Sequence, residues 1–292
     1  MVWQLTTDTA HDFGAVFVEK VQIEGLSYRV DDTAAPRDDG IYFGQDFADP
    51  GDIILNVAIQ APHMDDLARR LYVRDEAAKF TRLWDAADTR DSAGDVAELS
   101  AGEFGTYEGR PRGVVWDFEN YAVGFVRGTA RFIRSNMMHF PPASEGGGWQ
   151  EATLQLIPAQ TGGLMAPLVE PLRTAYAQVR ASALHVAGDA PAHPIIELHG
   201  PIQADAMVEV VGRWRLYMNR PLGQYDVARI DTRPGRLATY LNDRPVQIID
   251  PRSSLLVECS LMPGENVASL RGASIEGTAS VVFRWRNTKG SI

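Results

Sequence analysis

The run Asp49-Pro50-Gly51-Asp52-Ile53-Ile54-Leu55-Asn56-Val57-Ala58-Ile59-Gln60 decides the fold class. Proline presets φ and glycine tolerates φ > 0, so Asp49-Pro50-Gly51-Asp52 reads as a turn. Beyond it, Ile53, Leu55, Val57 and Ile59 recur at every second position, which puts them on one face of a half-buried strand. Upstream, Val16-Phe17-Val18 and Val21-Gln22-Ile23 have the same character on either side of Glu19-Lys20. Downstream, the stretch from Asp65 to Ala87 holds the one convincing helix pattern. Leu67 and Leu71 are four apart, Ala77, Phe80 and Trp84 continue the apolar stripe, and Glu76, Lys79 and Arg82 occupy the other face. Asp88 and Asp91-Ser92-Ala93-Gly94 end it. Strand patterns resume at Gly113 to Phe118, at Ala122 to Arg134 and, after Gly146-Gly147-Gly148, at Ala152 to Ile157.

Residues 161–193 read as a connector, with Gly162-Gly163, Pro167, Pro171 and Pro191; Leu172 to Ala183 has the pattern of a short helix inside it. Past Pro194 the pattern is again β. Ile195 to Leu198 is apolar, and Val208, Val210, Gly212, Trp214, Leu216 and Met218 alternate with polar or exposed-type positions. Asn242-Asp243 separates Leu237-Ala238-Thr239-Tyr240 from Val246-Gln247-Ile248-Ile249, a hairpin signal. Leu255 to Leu261 precedes Pro263-Gly264, and Ala279, Val281, Phe283 and Trp285 alternate with Ser280, Val282, Arg284 and Arg286. Short alternating strands with turns at this spacing predict an antiparallel β-sandwich. The expected division is residues 1–160 as a β-domain with one helix, 161–193 as connector, 194–287 as the sandwich and 288–292 as a tail. No repeat or low-complexity tract interrupts it.

Composition agrees with a folded chain. The 292 residues are 45% hydrophobic and 23% charged, which excludes a wholly disordered, collagen-like or coiled-coil chain and allows about two domains. No stretch approaches the ~20 apolar residues of a membrane-spanning helix. Met1 to Ala10 has neither a basic nor an apolar signal region, so no signal peptide is expected. Cys259 is the single cysteine, so no intrachain disulfide forms. Net charge is −10, the wrong sign for a sequence-independent DNA binder. The charge is uneven. Residues 1–60 carry eleven Asp or Glu against three basic residues, a balance of −8, whereas residues 261–292 carry four basic against two acidic, a balance of +2. That asymmetry suggests surfaces with different neighbours, or simply two solvated faces.

Catalytic templates are missing: no phosphate loop, no dinucleotide fingerprint, no C-x-x-C and no H-E-x-x-H. Gly272-Ala273-Ser274-Ile275-Glu276-Gly277 is spaced G-x-S-x-x-G, not as a nucleophile elbow, and reads as a turn. His185, His193 and His199 cluster in sequence but lack the tight four-ligand spacing of structural zinc. Asp31-Asp32, Asp38-Asp39 and Asp65-Asp66 are candidate acid–base pairs, yet their Asp/Pro/Gly surroundings and helix start favour turns and caps. Cys259 falls in a strand pattern and reads as a buried, inert thiol. Trp214, Tyr217, Tyr225, Tyr240, Phe283 and Trp285 offer a sugar-stacking platform, but Trp214 and Trp285 lie on apolar faces and read as core.

Specific stretches go beyond composition. Arg37-Asp38-Asp39-Gly40-Ile41-Tyr42-Phe43-Gly44-Gln45-Asp46-Phe47, then Pro50-Gly51, resembles the opening domain of distal tail proteins. These are the hub proteins of long-tailed phages, called minor tail proteins in phages of actinobacteria. Phe80-Thr81-Arg82-Leu83-Trp84-Asp85-Ala86 and Gly109-Arg110-Pro111-Arg112 are similar to the family's next elements. So are Gly162-Gly163-Leu164, Gly188-Asp189-Ala190-Pro191, Pro194 to Pro201, Leu261 to Asn266 and Phe283-Arg284-Trp285-Arg286, in order along the chain. Two departures stand out: Asn242-Asp243 where relatives often have Asn-Gly, and the Pro-Pro and triple-Gly insertion within Met137 to Trp149.

The resemblance implies a mainly β protein, a ring-forming N-terminal β-sandwich or barrel-like domain with a helix plus a C-terminal galectin-like sandwich. It implies a homohexameric ring in the virion that joins the tail tube protein to the tip, the tail-associated protein and other minor tail proteins of the receptor-binding apparatus. DNA passes through without specific binding, and no membrane, cofactor, metal or catalytic residue is implied. Galectin-type sugar binding needs a His-Asn-Arg set with a stacking Trp; no His precedes Asn219-Arg220 suitably, so "galectin-like" describes architecture. The acidic opening then suggests that Asp31, Asp32, Asp38, Asp39, Asp46, Asp49 and Asp52 line or rim the channel, where carboxylates repel the duplex. The competing expectations are a carbohydrate-binding accessory protein of the tail tip and a cell-wall glycosidase or peptidase.

Overall fold

The computed structural model describes residues 3–25, 27–34, 39–155, 181–272 and 278–290. The chain divides into two compact units, Met1–Glu145 with Lys289–Ile292, and Gly146–Thr288.

In the first unit seven strands form one antiparallel sheet. They are β1 (Trp3–Thr6), β2 (Ala10–Asp12), β3 (Val16–Ile23), β8 (Asp52–Gln60), β9 (Ala97–Ala101), β10 (Thr106–Asp117) and β11 (Phe125–Arg134), in the order β2-β1-β9-β10-β11-β8-β3. β4 (Ser27–Arg29), β5 (Thr33–Ala34), β6 (Ile41–Tyr42) and β7 (Phe47–Asp49) lie in separate two-stranded ribbons. The alternation in β8 is realised as expected: Ile53, Leu55, Val57 and Ile59 are all fully buried. β10 breaks register between Pro111 and Val114, where proline has no N–H to give the ladder.

Helix α1 (Asp66–Asp85) packs on the sheet. Asp65 caps its start, accepting from the Ala68 N–H at 2.8 Å, and Ala86 ends it in a left-handed conformation (φ 43°). A short helix α2 (Ala87–Asp91) follows, so Asp88 continues helical structure rather than ending it. The buried stripe is Val73, Ala77, Phe80 and Trp84. Leu67 and Leu71 are not part of it, and Leu67 is 67% exposed. Six residues from Leu71 to Ala77 turn the helix by about 600°, which leaves Leu71 well off the Ala77 face; Val73, four before Ala77, is the true neighbour. Phe13 meets Phe80 and Trp84 edge-on at 5.1 and 5.9 Å, and the Trp84 indole N–H donates to the Arg131 carbonyl at 3.2 Å.

The second unit is an antiparallel sandwich. Its strands are β12 (Trp149–Gln155), β13 (Ala181–Val186), β14 (Ile195–His199), β15 (Met207–Val210), β16 (Trp214–Tyr217), β17 (Val227–Asp231), β18 (Ala238–Leu241), β19 (Arg244–Pro245), β20 (Gly264–Arg271) and β21 (Ser280–Arg286). One sheet runs β12-β21-β14-β17-β18-β19 and the other β13-β20-β15-β16; inward residues of both share one core. Asn242 and Asp243 both take positive φ (50° and 61°), the two-residue hairpin turn that the sequence signals.

Several expectations are corrected here. The domain boundary lies near residue 146, not at 160 and 194. β12 pairs with β21 and β13 with β20, so both join the sandwich from outside the expected limits. The Met137 to Trp149 insertion holds this boundary, with Gly146 and Gly147 carbonyls accepting from Asn287 and Arg286. Lys289 is no loose tail, since it forms a bridge with His139 and an ion pair with Glu145. Residues 156–180 lie outside the described ones, and with them most of the expected connector and of the Leu172 to Ala183 helix; Ala181 to Ala183 are strand. The alternating run from Val208 to Met218 is two strands, because Gly212 at φ 77° turns the chain. The expected strands at Leu255 to Leu261 and at Val246 to Ile249 are instead a 3-10 turn at Leu256–Glu258 and an irregular stretch with an isolated bridge from Ile249 to Met218.

Cys259 therefore sits beside a turn rather than in a strand, but it is fully buried. Burial, with Glu258 nearby, pushes its thiol up to about 12. The thiol stays protonated at neutral and mildly alkaline pH. A disulfide dye at pH 8 should thus report no reactive thiol in the folded protein and one per chain after denaturation; prompt labelling of the native protein would contradict this burial.

Candidate functional site

Between β3 and β8 the chain leaves the sheet as an arm. β4 (Ser27–Arg29) pairs with β7 (Phe47–Asp49), and β5 (Thr33–Ala34) pairs with β6 (Ile41–Tyr42). Of the acidic residues singled out for the channel, Asp31, Asp32, Asp39, Asp46, Asp49 and Asp52 belong to this arm or its root.

The root is held by polar contacts, buried at Arg134 and Gly51 and half-buried at Glu24. Arg134, at the end of β11, donates Nε to the Gly51 carbonyl at 2.6 Å and a terminal N–H to the Glu24 carbonyl at 2.7 Å. One guanidinium thus ties both ends of the arm to the sheet. Burial lowers the Arg134 pKa from its ordinary value, with Tyr107, Asp52 and Glu24 acting the other way. Glu24 and Asp52 close the neck: the Glu24 N–H donates to the Asp52 carbonyl at 2.9 Å, and the Asp52 N–H to the Glu24 carboxylate at 3.1 Å. Gly51 has no room for a side chain, since a Cβ would lie 2.5 Å from the Gly25 carbonyl oxygen and 2.6 Å from that of Glu24.

Beyond the root the arm exposes what folded chains normally bury. Tyr28, Val30, Ile41, Tyr42 and Phe47 are largely exposed, and Phe43 is 85% exposed. Two-stranded ribbons are marginal alone in water, and clustered exposed apolar groups mark interaction surfaces. Arg29 stiffens the base, pairing with Asp49 at 2.9 Å and lying 5.9 Å from the centroid of the Phe47 ring.

The seven carboxylates separate accordingly. Asp52 is 8% exposed and ion-paired with Arg131 across β8 and β11, which gives it a structural role at the arm's root. Asp49 is engaged by Arg29. Asp31, Asp32, Asp39 and Asp46 are exposed on the arm, with Asp32 accepting from the Gly44 N–H at 3.1 Å. Asp38 lies outside the described residues. The reading of the sequence missed the Glu24–Arg134 root, which no local pattern reveals. The arm's apolar groups did leave a signal, aromatics inside an acidic, turn-rich stretch.

The other candidates resolve into structural roles. Asp65 is the helix cap and Asp66 pairs with Arg69 one turn on. Trp214, Phe283 and Trp285 are core, and the Trp214 indole donates to the Ser260 carbonyl at 2.8 Å; these three form no exposed platform. His185, His193 and His199 form no metal-binding group, and among the described residues none was found. Burial lowers the His193 pKa. Residues 273–277 of the G-x-S-x-x-G stretch lie outside the described residues. No described helix is long and apolar enough to cross a membrane.

No protein-family model matches the sequence, and no curated protein is significantly similar to it. Among solved structures, the crystal structure of the SPP1 Dit protein aligns over 99% of this chain and 99% of its own, with a TM-score of 0.61 at 11% identity. The chain has the Dit fold. That SPP1 protein is described as a paradigm of the hub adsorption apparatus in phages that infect Gram-positive bacteria. Baseplate structures of phage P2 in the activated conformation, with calcium and with strontium, align over 97% of this chain and 98% and 97% of theirs, at 11% and 10% identity and TM-scores of 0.48. At 11% identity, the likeness to SPP1 Dit is one of fold and not of residue identities.

Proposed function

We infer that the chain is a distal tail protein, a structural component of a phage tail tip, and that its copies form a hexameric ring joining the tail tube to the tip and receptor-binding apparatus. The observation that carries this reading is the alignment of both units, in order and nearly end to end, with the SPP1 Dit fold. The rooted arm supports it. A ring needs heterologous contacts in which one surface of each copy meets a different surface of the next, and an arm that shows aromatics from a rigid base suits such a contact. The role is one of assembly rather than catalysis. Asp31, Asp32, Asp39 and Asp46 remain the carboxylates proposed to rim the channel, and like charges so placed oppose close approach of arms at low salt.

The test is mass. Native mass spectrometry of the 32.1 kDa chain should show a discrete species of six copies, favoured by moderate salt. A strictly monomeric chain across concentrations and salt would remove the ring from the proposal, and a ring of another order would correct it.

A further inference from the structure

The second unit carries a charged cluster that its core does not explain. In β15, Val208 and Val210 enter the core, so Met207 and Glu209 face the other side of the four-stranded sheet. An outward Glu is ordinarily left to water, yet Glu209 is 2% exposed. Its Oε2 accepts from Arg215 Nε at 3.2 Å. Its Oε1 accepts from the Ser269 hydroxyl at 2.9 Å and lies 2.7 Å from a terminal nitrogen of Arg271. Register explains the convergence: Glu209 stands opposite Arg215 on β16 and Ser269 on β20, and Arg271 stands opposite Met207 one pleat away.

Removing a carboxylate from water is costly, and an exposed cross-strand pair would avoid that cost. What the buried carboxylate secures is orientation. Each guanidinium commits one nitrogen to Glu209 while its side chain stays 61% (Arg215) or 66% (Arg271) exposed, so the remaining N–H edges face solvent. Two guanidiniums around one carboxylate leave a local charge of +1 on a chain of −10. A phosphodiester carries one negative charge and two non-bridging oxygens that diverge, one for each fork. Val211 and Val267, both exposed, adjoin the cluster on the same sheet and are joined by the Val211 N–H to Val267 carbonyl bond at 2.8 Å. They suit aliphatic links between successive phosphates.

We propose that Arg215 and Arg271, held by Glu209, bind a phosphodiester group borne on a polymer with aliphatic linkers. The site belongs to the second unit alone and does not depend on ring formation.

The experiment titrates the full chain with poly(glycerol phosphate), with inorganic phosphate and with polyglutamate, by calorimetry at fixed salt. The polymer should bind saturably and more tightly than the other two. Arg271→Lys keeps the charge but loses the fork, and should weaken polymer binding by about tenfold. Glu209→Gln raises the local charge to +2, so diffuse attraction would tighten binding, whereas a site built on the carboxylate weakens by about tenfold. Arg213→Gln, on the adjacent turn, should change affinity by less than about twofold. If Glu209→Gln melts early, Arg271→Lys decides. Tighter or unchanged binding by Glu209→Gln, equal damage from Arg213→Gln, or no polymer binding overturns the proposal. So does polyglutamate binding as tightly as the polymer, which would point to an acidic protein segment, or inorganic phosphate doing so, which would point to the free ion.

Discussion

Trp84→Ala is expected to lower the melting temperature of the first unit by about 10 °C and to leave the second unit's transition in place. Trp84 is almost fully buried, stacks on Phe80 with ring centroids 5.5 Å apart and meets Phe13 and Phe132 edge-on at 5.9 and 6.4 Å. It is the point where α1 is fastened to the sheet. Alanine removes the indole, opens a cavity among three other aromatic rings and leaves the Arg131 carbonyl without its donor. Truncations of buried tryptophan cost about 3–5 kcal/mol, and the rings around this one are too rigid to collapse into the space. The consequence reaches the arm, because Arg131 also holds Asp52 at the arm's root. Scanning calorimetry of the intact chain should resolve two transitions, one for each unit, with the earlier alone displaced. Equal displacement of both, or a shift of a degree or two, would show that α1 is not the fastener described here.

The sequence made β8, α1 and the Asn242-Asp243 hairpin legible because each is specified by neighbours in the chain. Ile53, Leu55, Val57 and Ile59 declare a buried face by alternation, Asp65 is positioned as a cap, and two residues able to take positive φ announce the tight turn. The reading failed where specification is long-range. Trp149–Gln155 looks like an ordinary strand after three glycines, and nothing nearby says that its partner is Ser280–Arg286, at the far end of the chain. The domain boundary was misplaced for that reason. Leu67 and Leu71 share a face with each other but not with Phe80 and Trp84, so their mutual spacing signals a core stripe that the helix does not bury. Of the candidate site, the acidic and aromatic content of the arm was readable, and so was the fold it belongs to through the resemblance to distal tail proteins. Its root was not, because Arg134 reaches Gly51 and Glu24 across 83 and 110 residues. The same distance problem hid Asp52's pairing with Arg131, and the seven carboxylates looked equivalent until the fold separated them.

Arg134→Met should release the arm, at a cost of about 2–4 kcal/mol to the first unit. Methionine keeps the length and apolar bulk of the side chain but none of its donors. The buried Gly51 carbonyl would then lose its partner at a penalty of about 1–3 kcal/mol, and the half-buried contact to the Glu24 carbonyl would add less. Part is offset, because the fold no longer has to strip water from a guanidinium that is 3% exposed, the same burial that lowers the Arg134 pKa. Arg134→Lys separates charge from geometry. It restores a cation without the planar fork that reaches both carbonyls, so it should recover less than half of the loss. Limited chymotrypsin digestion reads the arm directly. Tyr28 and Phe47 flank the root, and cleavage there should accelerate in the methionine variant well before global unfolding, since local opening is what the lost bonds govern. If the root stays resistant while the first unit melts early, Arg134 stabilises the sheet and not the arm. If Lys restores full stability, the positive charge matters and the two-point clamp does not. Should the clamp be real and the ring reading also hold, the released arm is a poorer interface: it must lose more conformational entropy on docking than one already fixed at its base. The variant's assembly should then need higher protein concentration than its loss of stability alone explains.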